Sequence, residues 1–262
     1  MPYASNNGVK IHYHVEGEGP PLVLQHGFSG SLISWYDGGY VETLKRDHTL
    51  ILADTRGHGE SGKPHSPADY TMELKVADVT AIMDDLDLER AGYMGYSLRG
   101  RAGFGVAKYA PERFDAIIIG GMHPYGRSGT DGSVNKRIEA LEGGMESYVA
   151  QIEEQSGPMD PDRRARMLKN DAQALIASSI ELRDFQGIED VLPNMTMPCL
   201  LYVGEADFLY DGVKECVKHM PNATFVSFPG LDHGQTSRSS NLVLPHVTEF
   251  LSKVREGAAA AN

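Results

Sequence analysis

Five short runs of uninterrupted apolar residues constrain this chain more than any other feature: Pro21 to Leu24, Leu50 to Ala53, Ala91 to Met94, Ala116 to Ile119 and Cys199 to Val203. A strand with water on one face alternates apolar and polar side chains, so a continuous apolar run belongs to a strand covered on both faces. Between the runs, apolar residues recur at helical spacing, at Val76, Val79, Met83 and Leu86. They do so again at Val243, Val247, Phe250 and Val254, beyond a further strand-like segment from Thr224 to Phe228. This alternation predicts an α/β fold, a mostly parallel central sheet with helices on both faces. Val9 to Val15 differs, because Val9, Ile11, Tyr13 and Val15 alternate with polar residues as in a half-exposed antiparallel strand at a sheet edge.

One stretch breaks the rhythm. Between Gly121 and Cys199 no strand signal occurs, while Asn135 to Gln155 and Pro161 to Leu182 read as helices interrupted by Gly143, Gly144, Gly157 and Pro158. The chain therefore divides into a core of residues 1–121 and 198–262 and a helical lid of residues 122–197, inserted at a strand end where it controls access.

Composition removes several classes of function. A hydrophobic fraction of 41% with 23% charged residues is that of a globular protein with a sizeable core. The net charge of −12, with Lys and Arg scattered, argues against a nucleic-acid partner, which needs a basic stripe. Cys199 and Cys216 do not form a disulfide framework. The first residues lack a signal peptide's pattern and no apolar run approaches bilayer length, so the expectation is a cytoplasmic protein without membrane contact.

The chemistry is concentrated at strand ends. In Met94-Gly95-Tyr96-Ser97-Leu98-Arg99-Gly100 a serine sits where a strand gives way to a helix, a sharp turn that would expose its hydroxyl above the sheet. Alone, such a serine is more often a helix N-cap. A serine hydroxyl needs a base within reach and a carboxylate to orient that base. Asp207 follows the strand ending at Val203, and His233 follows the strand ending at Phe228. Asp211 and Asp232 are the competing acids, but Asp207 comes directly after its strand. His26-Gly27-Phe28 follows another strand and forms a turn able to aim the Phe28 N–H at an oxyanion, with the Leu98 N–H as second donor.

In order, His26-Gly27-Phe28, the block Asp54-Thr55-Arg56-Gly57-His58-Gly59-Glu60-Ser61, the serine turn, Asp207 and His233 resemble the α/β-hydrolase family over nearly the whole chain. The resemblance implies a serine hydrolase of the esterase or lactonase branch, with no cofactor and no metal and a small ester or lactone as substrate. In it Ser97 is the nucleophile, His233 the base and Asp207 its orienting acid, working through an acyl-enzyme. A serine excludes the relatives with an aspartate nucleophile, haloalkane dehalogenases and epoxide hydrolases. Carbon–carbon hydrolases, cofactor-free perhydrolases, hydroxynitrile lyases and hydrolase-fold receptors remain open.

Arg99 departs from the family's small residue in the turn. Its side chain is expected to escape to solvent, with Gly100 taking over part of the close packing; an arginine that strained the turn would make Arg99→Gly faster. Gly57 to Gly62 matches G-x-G-x-x-G, but Lys63-Pro64-His65-Ser66-Pro67 cannot open the helix a dinucleotide needs, so the glycines read as a structural turn. His58 is structural, His26 shapes the oxyanion turn, and His12 and His14 read as an exposed edge rather than a metal site. Trp35, Met122, His123 and Tyr125 are the candidate pocket residues.

Overall fold

The computed structural model describes residues 2–126 and 132–261 and contains one eight-stranded sheet. Its strands are β1 (Tyr3–Asn6), β2 (Val9–Glu16), β3 (Pro21–Gln25), β4 (Thr49–Ala53), β5 (Ala91–Tyr96), β6 (Phe114–Gly120), β7 (Cys199–Gly204) and β8 (Ala223–Phe228). They lie in the order β1-β2-β4-β3-β5-β6-β7-β8, with β3 to β8 parallel and the β1-β2 and β2-β4 pairs antiparallel. All five continuous apolar runs and the Thr224 to Phe228 segment are strands. β2 is antiparallel as expected but is not the edge: β1 pairs outside it.

The apolar runs supply both faces at once. In β3, Leu22 and Leu24 join one core with Leu50, Leu52, Met94, Ile118 and Leu200, while Val23 between them joins the opposite core with Ile51, Tyr93, Ile117 and Leu201. Each such side chain, fully removed from water, contributes about 1.5–3 kcal/mol before entropy is charged against it. Of the helices before the insertion, α1 (Ile33–Asp37) and α2 (Tyr40–Leu44) pack on the first face, and α3 (Met72–Asp85) and α4 (Leu98–Tyr109) on the second.

Among the described residues between β6 and β7 stand four α-helices, α5 (Ser133–Glu142), α6 (Met145–Ser156), α7 (Pro161–Leu168) and α8 (Ala172–Asp184). The break at Gly143 and Gly144 falls where the sequence places it, with Gly144 at φ +88°. A second break, at Lys169 to Asp171, divides the stretch expected as one helix from Pro161 to Leu182. There the Asp171 side chain accepts from the Ala174 N–H and starts α8 afresh. These helices hold a small core of their own around Leu141, Tyr148, Val149, Met167 and Leu175, against which Phe28 packs. After β7 come α9 (Tyr210–Val217), α10 (His233–Arg238) and α11 (Ser240–Ala261), and α11 covers the first face. Among the described residues no helix is long and apolar enough to cross a membrane.

Candidate active site

Ser97 occupies the single residue between β5 and α4, at φ +56° and ψ −125°. A non-glycine residue there carries backbone strain of about 1–3 kcal/mol, tolerated because its surroundings leave no alternative. The Ser97 N–H donates to the Gly120 carbonyl at 2.8 Å. A Cβ on Gly95 would lie 2.3 Å from the Arg99 carbonyl oxygen, and one on Gly100 2.9 Å from the Gly120 oxygen, so the turn closes only because both positions lack a side chain.

Arg99 does not reach solvent. Every residue of α4 from Leu98 to Ala107 is buried, so no direction from position 99 leads to water. The side chain is 1% exposed, its Nη2 donates to Thr55 Oγ1 at 2.9 Å, and Tyr93 donates to the Arg99 carbonyl at 2.7 Å. Burial pushes its pKa below the ordinary arginine value. Arg99→Gly would thus open a void beneath the turn rather than relax it.

The Ser97 Oγ lies 2.8 Å from His233 Nε2, and His233 Nδ1 lies 2.7 Å from Asp207 Oδ2. A carboxylate only accepts, so the proton sits on Nδ1 and Nε2 is free to accept from the serine. The Asp207 side chain is fully buried, and its other oxygen accepts from the Leu209 N–H at 3.0 Å. The competing acids are engaged elsewhere or turned outward. Asp232 is the N-cap of α10 in a reciprocal capping box with Gln235, and Asp211 is exposed in the first turn of α9. Tyr96 donates to the His233 carbonyl at 2.5 Å, and the rings of Tyr96 and Phe208 flank the imidazole at 5.2 and 5.4 Å. Phe208, 73% exposed, was not among the candidate residues; an aromatic directly after the acid was its only sequence signal.

The turn after β3 presses against the serine, since a Cβ on Gly27 would stand 3.5 Å from Ser97 Cβ. His26 fixes this turn. Its Nδ1–H donates to the Gly27 carbonyl at 2.8 Å, and its Nε2 accepts from the Thr55 N–H at 3.2 Å. Burial of the ring lowers its pKa from 6.5 to about 4, against the upward pull of the Asp54 charge and the Gly27 carbonyl. Leu98, at the N-terminus of α4, has an N–H without an intrahelical acceptor. The block from Asp54 to Ser61 is a brace for these turns: Asp54 accepts from the Leu32 N–H at 2.8 Å, the Glu60 N–H at 3.0 Å and His12 Nδ1 at 2.8 Å. Gly57 donates to the Gly62 carbonyl at 2.9 Å, and no helix opens directly at these glycines: the 3₁₀ turn Pro67–Tyr70 intervenes before α3 starts at Met72. His12 corrects the exposed-edge reading: it is 3% exposed, because β1 covers it and Asp54 binds it.

The neutrality of His26 has a consequence in acid. Between pH 6.5 and 4 the unfolded chain protonates this ring and the folded chain does not, so stability rises with pH across that window and is lost as pH falls through it. The loss is on the order of 3 kcal/mol by pH 4. Thermal melts between pH 7 and 4 should show a falling Tm, and a flat profile would refute a buried neutral His26.

A cavity of about 1070 Å³ opens above Ser97 and His233. Phe28, Leu98, Trp35 and Met122 line it; His123 and Tyr125 do not. His123 packs on Gly212 of α9, where a Cβ would be 2.2 Å from its ring, and Tyr125 makes a backbone bridge to Gly187. The two rings lie 5.3 Å apart, a packing pair behind the cavity.

Sheet order, strained serine turn and relay together define a class. The profile of the alpha/beta hydrolase fold family matches residues 20–195, more than half of the chain, and the chain belongs to that family. Among its relatives, the cis-3-alkyl-4-alkyloxetan-2-one decarboxylase of Shewanella oneidensis is 28% identical over 99% of this chain and 91% of its own. The enol-lactonase of Burkholderia xenovorans LB400 superposes with a TM-score of 0.85 at 24% identity, covering 96% of this chain and all of that one. A thermophilic esterase from Thermogutta terrifontis does so at 0.81 and 22%, covering 97% and 98%.

Proposed function

We propose that this α/β-hydrolase cleaves small carboxylic esters or lactones through a Ser97–His233–Asp207 triad. The carrying observation is the unbroken relay from Ser97 Oγ to His233 at 2.8 Å and on to Asp207 at 2.7 Å, beneath the cavity. Ser97 Oγ bonds to the substrate carbonyl carbon as His233 Nε2 takes its proton. The Phe28 and Leu98 N–H groups stabilise the oxyanion, each by about 3–4 kcal/mol. Collapse expels the alkoxide, which His233 protonates, and water then releases the acid from Ser97 by the same steps. In a lactone the alcohol stays tethered to the acyl group. Residues 122–197 act as the lid over a core of residues 1–121 and 198–262, a reading supported by Leu182 and Tyr148 lining the same cavity as Ser97.

Two relatives carry lactone chemistry in their names, an oxetan-2-one decarboxylase and an enol-lactonase, which supports including lactones. The test is a panel of p-nitrophenyl acetate and butyrate, four- to six-membered lactones and a dienone, with a fluorophosphonate to label the nucleophile. Nitrophenol release, lactone opening to the hydroxy acid and a label on the Ser97 peptide are expected. Carbon–carbon cleavage alone, or loss of carbon dioxide from a four-membered lactone in place of hydrolysis, would overturn the esterase reading.

A further inference from the structure

The cavity's charge runs against that of the chain. Of the residues lining it seven are Lys or Arg and three are Asp or Glu, in a protein whose net charge is −12. Several of these cations are already engaged. Arg166 of α7 pairs with Asp37, Lys63 donates to the Gly59 and Ser61 carbonyls, and the Arg137 guanidinium lies 4.4 Å over the Phe28 ring. Arg163 of α7 and Arg238 of α10 differ. Among the described residues neither guanidinium has an acidic partner within 4 Å, and desolvation first, then the charges of Arg238 and Arg166, push the Arg163 pKa down. Arg238 folds back over the first turn of its helix, where a Cβ on Gly234 would lie 3.1 Å from Nη1.

Two cations lining one cavity favour an anion between them, and a guanidinium's planar fork matches a carboxylate. We propose that the substrate carries a free carboxylate at the end remote from the scissile bond, held at the cavity mouth between Arg163 and Arg238. This rests on the hydrolase reading above and narrows it to carboxylate-bearing esters and lactones. Because Arg163 lies in the inserted helices and Arg238 follows the base, the same carboxylate ties insertion to core when substrate is bound. Both side chains are exposed at the rim, so water and salt screen the attraction and its expected size is moderate.

The test compares p-nitrophenyl hydrogen glutarate with p-nitrophenyl pentanoate, esters of equal chain length that differ in a terminal carboxylate. The wild type should favour the glutarate ester in kcat/KM by about tenfold, an advantage that narrows in 0.5 M salt. Arg163→Gln and Arg238→Gln should each raise KM for the glutarate ester by about five- to tenfold, with kcat and the pentanoate constants little changed. Equal kcat/KM for the two esters, or variants that slow both alike, would overturn the carboxylate site while leaving a Ser97-dependent esterase intact. If neither ester is turned over, the hydrolase reading fails separately, and calorimetry of free glutarate on Ser97→Ala protein still decides: binding that Arg238→Gln abolishes upholds the site, and no binding ends it. Inorganic phosphate competing as well as glutarate would also overturn the assignment to a carboxylate.

Discussion

Asp207→Asn lowers kcat for ester hydrolysis by about 10⁴-fold with the fold unchanged by circular dichroism. The size follows from what the carboxylate holds. Its Oδ2 accepts from His233 Nδ1–H and its Oδ1 from the Leu209 N–H, so it has no freedom to swing away. An asparagine set in the same contacts keeps its oxygen on the Leu209 N–H and turns its amide donors toward Nδ1. The imidazole must then carry its proton on Nε2, where it blocks acceptance from Ser97. Ser97→Ala removes the attacking atom and costs more, about 10⁶-fold, and the double variant should be no slower than Ser97→Ala because the residues act as a unit. A loss below tenfold in Asp207→Asn would sink the assignment of the acid and return Asp211 to contention.

The strands of this fold are legible because burial on both faces leaves a mark that needs no partner: five apolar runs, five strands. β1 leaves no such mark. Tyr3–Asn6 is four residues long and earns its place by pairing with Val9 to His12, and covering β2 is what turns His12 from a rim residue into a buried one. The serine relay is equally legible, since each member follows a strand and parallel strands deliver their ends to one rim. What lies outside local pattern is the direction of single side chains. Arg99 reads as polar and so as outward, yet α3, the sheet and the inserted helices close over α4 on every side. His123 and Tyr125 sit at a strand end like Met122, yet the His123 ring packs on Gly212, some ninety positions on, and not into the cavity. The two mouth arginines, without an acidic partner among the described residues, lie 75 positions apart, at 163 and 238, and no window of sequence joins them.

Asp78→Ala should destabilise the protein by about 3–5 kcal/mol, because it strands a buried charge. Beneath the serine turn lie Arg56, Lys75, Arg99 and Arg101, each no more than 3% exposed, facing Asp78 and Glu181. Asp78 takes the Arg56 fork at 2.6 and 2.5 Å and the Asn6 amide at 2.9 Å. Without it Arg56 keeps one bond, to the Asp69 carbonyl, amid three further cations. For a chain this long the loss corresponds to a fall in Tm on the order of 10 °C. Arg99→Met is the contrasting case. It also removes a buried charge, but one held by a single side-chain bond, to Thr55, in a cluster with cations in excess, so a thioether of similar length should be neutral or stabilising. Lys75 reports the same excess: burial first, and then the charges of Arg99 and Arg101, pull its pKa down to about 8 against the pull of Glu181. Its pKa should rise when Arg99 is neutralised. If Arg99→Met instead unfolds the protein as readily as Asp78→Ala, the excess of cations is not what governs this cluster, and the Thr55 contact would be the tie that holds the serine turn against the Asp54 brace.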